Sequence, residues 1–243
     1  MTPQGGRRYR GQSPDERRAE RRRRLLDAAL ELFGTIGYGA SSIEMVCATA
    51  GVTARHFYEH FEGREALMIA LFDEENAQVI EAVISSAVAA DPDLDSRIDA
   101  GVAAFMHGML DDPRRARVLC LECVGVSPEV EQRRRAGLHT YANFVSAQAG
   151  RLTGDGSAPP SSFDLLSLAL VGGTNELIVE WLSGDLHPSI SVLIGEVSAF
   201  FRAAGQVASD RWGDEPAPSL EALELGIDLG SPDGAEPDGD GKA

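Results

Sequence analysis

Apolar residues recur along this chain at spacings of three and four, and no stretch keeps the alternating pattern of a half-buried strand. The pattern predicts an all-α protein of about nine helices. Ser13-Pro14-Asp15-Glu16 supplies a cap, a proline in the first turn and two early acids, so it opens the first helix. Leu25, Ala28, Ala29, Leu32 and Phe33 form its inner face, and Gly34 and Gly37 end it. Ile43, Val46 and Cys47 carry a second, short stripe, started by Ser41 and Glu44 at the spacing of a capping box. Gly51 suits the left-handed residue that closes such a helix. Thr53 is a cap for a third helix, with Phe57 and Phe61 four apart and facing inward.

Longer periodic segments follow. A helix over 64–89 has Leu67, Leu71, Val79 and Val83 on its buried stripe, and Asp91-Pro92 breaks it. As the link between the first three helices and the rest, it is the natural transmission element. A helix over 94–110 carries Ile98, Val102, Phe105 and Met109 on one face, and Asp112-Pro113 stops it. Residues 114–124 predict a short helix. Ser127-Pro128-Glu129-Val130 starts another, to about residue 152, with Leu138, Tyr141, Val145 and Leu152 inward. TGDGSAPP, 153–160, reads as a loop, and largely apolar helices are expected over 162–182 and 188–207.

The third helix is polar on its outer side. Thr53, Arg55, His56, Tyr58 and His60 all carry hydrogen-bonding groups. Two short helices around a tight turn are the helix-turn-helix arrangement, whose second helix enters a DNA major groove. A helical hairpin with a solvated outer face fits the same pattern. Charge sharpens the choice. The formal charge of −16 argues against nucleic acid, but its distribution does not. Residues 1–24 hold nine arginines and three acids, residues 1–62 are net +2, and the remainder carries −18. A basic N-terminal part on an acidic body is what a DNA reader with a separate second domain shows. A merely solvated N-terminal tail is the simpler alternative. Residues 210–243 hold ten acids against Arg211 and Lys242 and are rich in Gly and Pro, the composition of a disordered tail.

Other chemistries find little footing. No run was expected to reach the roughly 20 apolar residues of a membrane span, and no apolar core follows the basic N-terminus as in a secretory signal. Cys47, Cys120 and Cys123 make no disulfide framework, so the chain reads as cytoplasmic and reduced. Cys120-x-x-Cys123 lacks the further ligands a zinc site needs, and no metal or cofactor is expected. The phosphate-cradling and hydrolase motifs are absent, so an enzyme is not expected.

Residues 21–71 resemble the DNA-binding domain of the TetR family of transcriptional regulators. The resemblance rests on the AALELF helix, the Gly37-Tyr38 turn, Ser41-Ser42, the Ala50-Gly51-Val52 corner, Phe57-Tyr58-x-His60-Phe61 and the Arg64-Glu65-Ala66-Leu67 start of the next helix. It implies a homodimeric all-α regulator, cytoplasmic and nucleoid-associated when DNA-bound, with a helical ligand domain. Its expected organisation is a basic arm over 1–12, a helix-turn-helix domain over 13–62, a ligand and dimerisation domain over 63–208, and the acidic tail over 209–243. The DNA-facing positions it implies are Ser41, Ser42, Thr53, Ala54, Arg55, His56, Tyr58, His60 and Arg64. The chain departs from the family's usual recognition helix at two of these. Ala54 replaces a phosphate-contacting lysine, and Arg55 replaces a glycine that permits close approach. The candidate pocket comprises Phe105, Met106, Met109, Cys123, Tyr141, Phe144 and Asn175, for an unknown small-molecule effector. The candidate dimer interface comprises Leu165, Leu168, Gly172, Trp181, Leu193, Val197 and Phe200. Glu122 and Glu176 stand out in apolar runs as partners for a cation or for Arg117. The expected function is a repressor on a pseudo-palindromic double-stranded operator. An activator or accessory DNA-binding protein, or an orphan ligand-binding protein without operator specificity, are the other classes.

Overall fold

The chain folds as a small helical head on a larger helical body, and among the described residues no strand occurs. The computed structural model describes residues 13–150, 161–184 and 187–212. The head is α1 (Pro14–Thr35), α2 (Ile43–Ala50) and α3 (Ala54–Tyr58). The long α4 (Arg64–Ala89) leads out of it. The body adds α5 (Leu94–Leu110), α6 (Pro113–Arg117), a π-helical turn (Val118–Glu122), α7 (Pro128–Gly150), α8 (Ser161–Ser183) and α9 (Ile190–Trp212). The expected arm over 1–12, the loop over 153–160, Leu152 and the tail beyond 212 lie outside the described residues.

The helix starts follow from side chains. Ser13 and Glu16 form a reciprocal capping box at α1. The box expected from Ser41 and Glu44 does not form. Ser41 is 1% exposed, and its hydroxyl donates to the Gly37 carbonyl at 2.7 Å. That bond holds the preceding turn, so capping passes to Ser42, which accepts from the Met45 amide. Gly51 ends α2 at φ 61°, and its carbonyl accepts from Arg24. α3 is shorter than expected. Glu59 caps it, and His60 lies past its end.

The expected helix over 114–124 is broken into α6 and a π-helical turn, where the hydrogen-bond register loosens. Head and body share one apolar core. Phe33 and Phe57 in the head and Leu67 at the start of α4 are fully buried in the same cluster as Met106, Val118 and Ile178 in the body. Gly34 lets α6 lie directly on α1, since a Cβ there would overlap Arg114.

The expectation that no segment reaches membrane-span length is corrected. Residues 164–183 of α8 and 190–207 of α9 are long and apolar enough by length and composition, with mean hydropathies of 1.3 and 1.2. Here α8 packs on α7 and α9, and α9 packs on α5. Each still leaves most of its apolar stretch uncovered within one chain.

Candidate DNA-reading face and ligand cavity

α3 presents a compact polar surface. The Thr53 hydroxyl accepts from the His56 amide and meets the His56 ring at 3.1 Å, which fixes both at the helix start. The Arg55 side chain is 89% exposed and, among the described residues, reaches the Glu59 carboxylate at 3.8 Å. Tyr58 is 60% exposed, its ring edge-on to Phe57 beneath. Arg55, Tyr58, the exposed Ala54 and the half-buried His56 therefore share one accessible surface. Ser42 stands at the α2 start, half-buried.

Three implied DNA contacts are placed elsewhere. Ser41 is interior, as described. The Arg64 guanidinium donates to the Tyr38 and Ser41 carbonyls and stacks over the Tyr38 ring at 4.2 Å. It braces the turn before α2 rather than standing free for a phosphate. His60 is half-buried, its Nε2 enclosed without a partner. Burial, then nearby Arg18 and Arg21, lowers its pKa below the usual histidine value.

The head is tied to the body by ionic side chains. Glu122 of the π-helical turn accepts from the Tyr38 amide at 2.8 Å and from Arg117 at 3.0 Å. Arg114 spans from Asp112 to Glu31 on α1. Arg115 donates to the buried Glu75 of α4 at 2.5 Å and to the Gly108 carbonyl of α5 at 2.6 Å. The expected pairing of Glu122 with Arg117 is present. Its bond to Tyr38, eighty-four residues away, has no local sequence signal.

A cavity of about 120 Å³ lies between α4, α5, α7, α8 and α9. That is roughly ten times the 10–15 Å³ that admits one water. Phe105, Tyr141 and Phe144 line it, with Val102, Leu170 and Val197. Its lining is almost wholly apolar. The one charged group in it is Arg97, whose Nε is enclosed and has no hydrogen-bond partner among the described residues. A smaller cavity of about 40 Å³ continues toward the head, lined by Met109, Asn175, Leu119, Cys120 and Arg134. Phe105 and Tyr141 line both, edge-to-face with centroids 5.2 Å apart. Such a pair is worth about 0.5–1.5 kcal/mol beyond its burial. The Tyr141 hydroxyl is buried and unpartnered, and burial pushes its pKa well above the usual tyrosine value.

Two candidate pocket residues are not lining. Met106 is fully buried in the core, and the Cys123 thiol donates to the Leu119 carbonyl at 3.1 Å. Burial pushes the Cys120 and Cys123 thiols up to about 12, so neither is a reactive thiolate. Among the described residues no group of three His, Cys, Asp or Glu side chains is placed to hold a metal ion. Arg97 was missed by sequence reasoning. Its signal is spacing, for Arg97, Gly101 and Phe105 lie four apart on one face of α5.

α8 and α9 leave an apolar outer surface. Leu165 is 71% exposed and Phe200 52%, with Leu168, Gly172 and Val192 also exposed. Leu193 and Val197, expected on the same surface, are buried inside the chain, because their side of α9 faces the body. Trp181 is half-buried, its indole donating to the Pro188 carbonyl.

A helix-turn-helix head on a helical body with an apolar cavity is the architecture of a DNA-binding regulator with a ligand domain. Residues 25–71 match the description "Bacterial regulatory proteins, tetR family". Over these residues the chain is similar to that family's DNA-binding domain. It is 25% identical over 183 residues to the HTH-type transcriptional activator FasR of Mycolicibacterium smegmatis, covering 75% of this chain and 80% of that protein. It is 35% identical over 57 residues to the fatty acid metabolism regulator protein of Bacillus subtilis, 24% of this chain and 29% of that protein. Its fold is similar to the transcriptional regulator FadR from Bacillus subtilis in complex with stearoyl-CoA. There the TM-score is 0.64 at 21% identity, over 75% of this chain and 98% of that one.

Proposed function

We propose that the chain is a cytoplasmic, homodimeric transcriptional repressor released from its operator by an apolar ligand with an anionic head. The units are a reader over 13–62 and a ligand and dimerisation body over 63–208. Arg55 and His56 read base edges in a major groove, with Arg55 suited to guanine. Ser42, Thr53 and Tyr58 hold the backbone and fix register. The exposed α8–α9 surface meets its own copy, which spaces two readers for inverted half-sites.

The observation that carries the ligand class is the apolar cavity with the half-buried Arg97 in its wall, its Nε enclosed without a hydrogen-bond partner among the described residues. A buried charged donor without an acceptor is unfavourable, and an anionic ligand group supplies the acceptor. An acyl thioester of coenzyme A has both parts, and stearoyl-CoA is the ligand named with a protein of similar fold. The ligand acts by favouring one of two dimer states. Near-complete release requires a preference of about 10⁴-fold.

The test is selection of bound genomic fragments, then footprinting at controlled salt with and without palmitoyl-CoA. Two inverted protected half-sites, lost on adding the ester, is the expected result. Sequence-blind binding that fades with salt would overturn the operator reading and favour an orphan ligand-binding protein. A footprint unmoved by any acyl ester would overturn the ligand class. The similarity to an activator keeps activation as the second reading. Transcription from the footprinted promoter in vitro, rising rather than falling on addition of the protein, selects it.

A further inference from the structure

We propose that residues 219–229 of this chain occupy the mouth of the apolar cavity when no ligand does, as a tethered competitor for it. This occupancy rests on the amphiphile reading only in taking the cavity as a site for an apolar body with an anionic group.

The cavity opens at the end of the body remote from the head. Ala87 lines it near the end of α4, Leu94 and Arg97 near the start of α5, and Ala204 and Gly205 well along α9. Gly205 packs closely on Leu94, for a Cβ there would come within 3.1 Å of the leucine side chain. From Gly205, α9 runs on to Trp212, about 10 Å further. The chain then continues through residues 213–243, which hold nine acids and a single base, Lys242.

Residues 219–229, SLEALELGIDL, carry the chemistry that complements this opening. Leu220, Leu223 and Ile227 fall at spacings of three and four, which gather apolar side chains on one helical face. Glu221, Glu224 and Asp228 repeat that spacing one position on, so an acidic stripe runs beside the apolar one. Docked as one amphipathic turn, the segment sets its aliphatic side chains on the apolar wall. A carboxylate then meets the Arg97 guanidinium, whose Nε is enclosed without a partner among the described residues. Reach selects this place over the basic head. The eight residues from Trp212 to Leu220 span at most about 28 Å, ample for the return of about 10 Å to Gly205. The 26-residue α4, about 39 Å long, separates that end of the body from the head. A segment tethered this closely has an effective concentration on the order of millimolar, so even weak docking competes with a ligand.

The experiment uses the full chain and the fluorescent probe 8-anilinonaphthalene-1-sulfonate, an apolar body with one sulfonate. The native protein is compared with a triple variant, Leu220→Ser, Leu223→Ser and Ile227→Ser, which alters no residue of the described core. With the competitor weakened, the variant is expected to bind the probe about tenfold more tightly. A synthetic peptide of residues 217–231 added to the variant should displace the probe. The same peptide with Glu221→Gln, Glu224→Gln and Asp228→Asn should need about tenfold more to do so. Hydrogen exchange supplies a readout without any ligand, and amides of residues 94–101 should exchange faster in the variant than in the native chain. Equal probe affinity with unchanged exchange at 94–101 overturns the tether and leaves the amphiphile reading standing. A change in exchange confined to α1 and α3 also overturns it, and moves the segment to the head. If the probe binds neither chain, the amphiphile reading loses its support. Exchange at 94–101 then decides the tether, faster exchange in the variant upholding it and no change overturning it.

Discussion

Single residues in the head divide between those that face outward and those that hold the head together. Arg55 belongs to the first kind, with its weak exposed pairing to Glu59. Arg55→Ala is expected to cost about 1–3 kcal/mol of operator affinity and relax preference at one base pair. Equal loss on operator and random DNA, in a salt-controlled titration, would refute base reading. His60 belongs to the second kind. Its folded pKa lies below the unfolded value of about 6.5, so the folded head favours the neutral ring. The unfolded chain takes up the proton first as pH falls. The His60 contribution is therefore complete above pH 6.5 and is lost as pH falls from there through the folded value. Thermal unfolding from pH 8 to 5 should show a steeper decline in the native protein than in His60→Gln. Both residues were visible in the sequence as polar members of one helix. Their separation was not, because it depends on α3 stopping at Tyr58 and leaving His60 against α1.

Among elements, the junction of α1, α6 and the π-helical turn is where the body grips the head. Glu122 accepts two donors there, the Tyr38 amide and the half-exposed Arg117. Glu122→Ala leaves a partly enclosed amide unpaired, an expected loss of about 1.5–3 kcal/mol. Arg117→Ala removes only a partly exposed ion pair, an expected loss of less than about 1 kcal/mol. Urea unfolding of the two variants checks the order; equal losses would mean the Tyr38 bond contributes little. The long α4 was legible from its stripe and position as the helix that links head and body. The second connection was not, since a hydrogen bond between residues 38 and 122 leaves no periodic trace.

For the whole molecule, the proposed pairing of two readers rests on the exposed α8–α9 surface. Phe200 is half-exposed beside Gly173, on the face away from the cavity. Phe200→Asp places a charge opposite its own copy, where burial without a partner is strongly unfavourable. Sedimentation should then give a 25.9 kDa monomer. Operator affinity should fall by about 10²-fold or more as the two half-sites lose their linkage. An unchanged dimer would move the interface elsewhere.

Periodicity, caps and breakers determined the helix order, because each is a local property of the backbone and its nearest side chains. Ser13 with Pro14, Asp91-Pro92, Asp112-Pro113 and Ser127 with Pro128 mark boundaries that the helices keep, to within a residue or two. The polar outer face of the third helix was equally local. Tertiary structure alone decided the rest. It turned Ser41 and Arg64 inward, because the turn at Tyr38 needed their hydrogen bonds. It buried Leu193 and Val197 while leaving Phe200 outside, because α9 has only one face toward α5. It also placed Arg97 in the wall of an apolar cavity, with Phe105 and Tyr141 across its inner end. A cavity belongs to the space between helices, and the stripe on any one of them does not contain it.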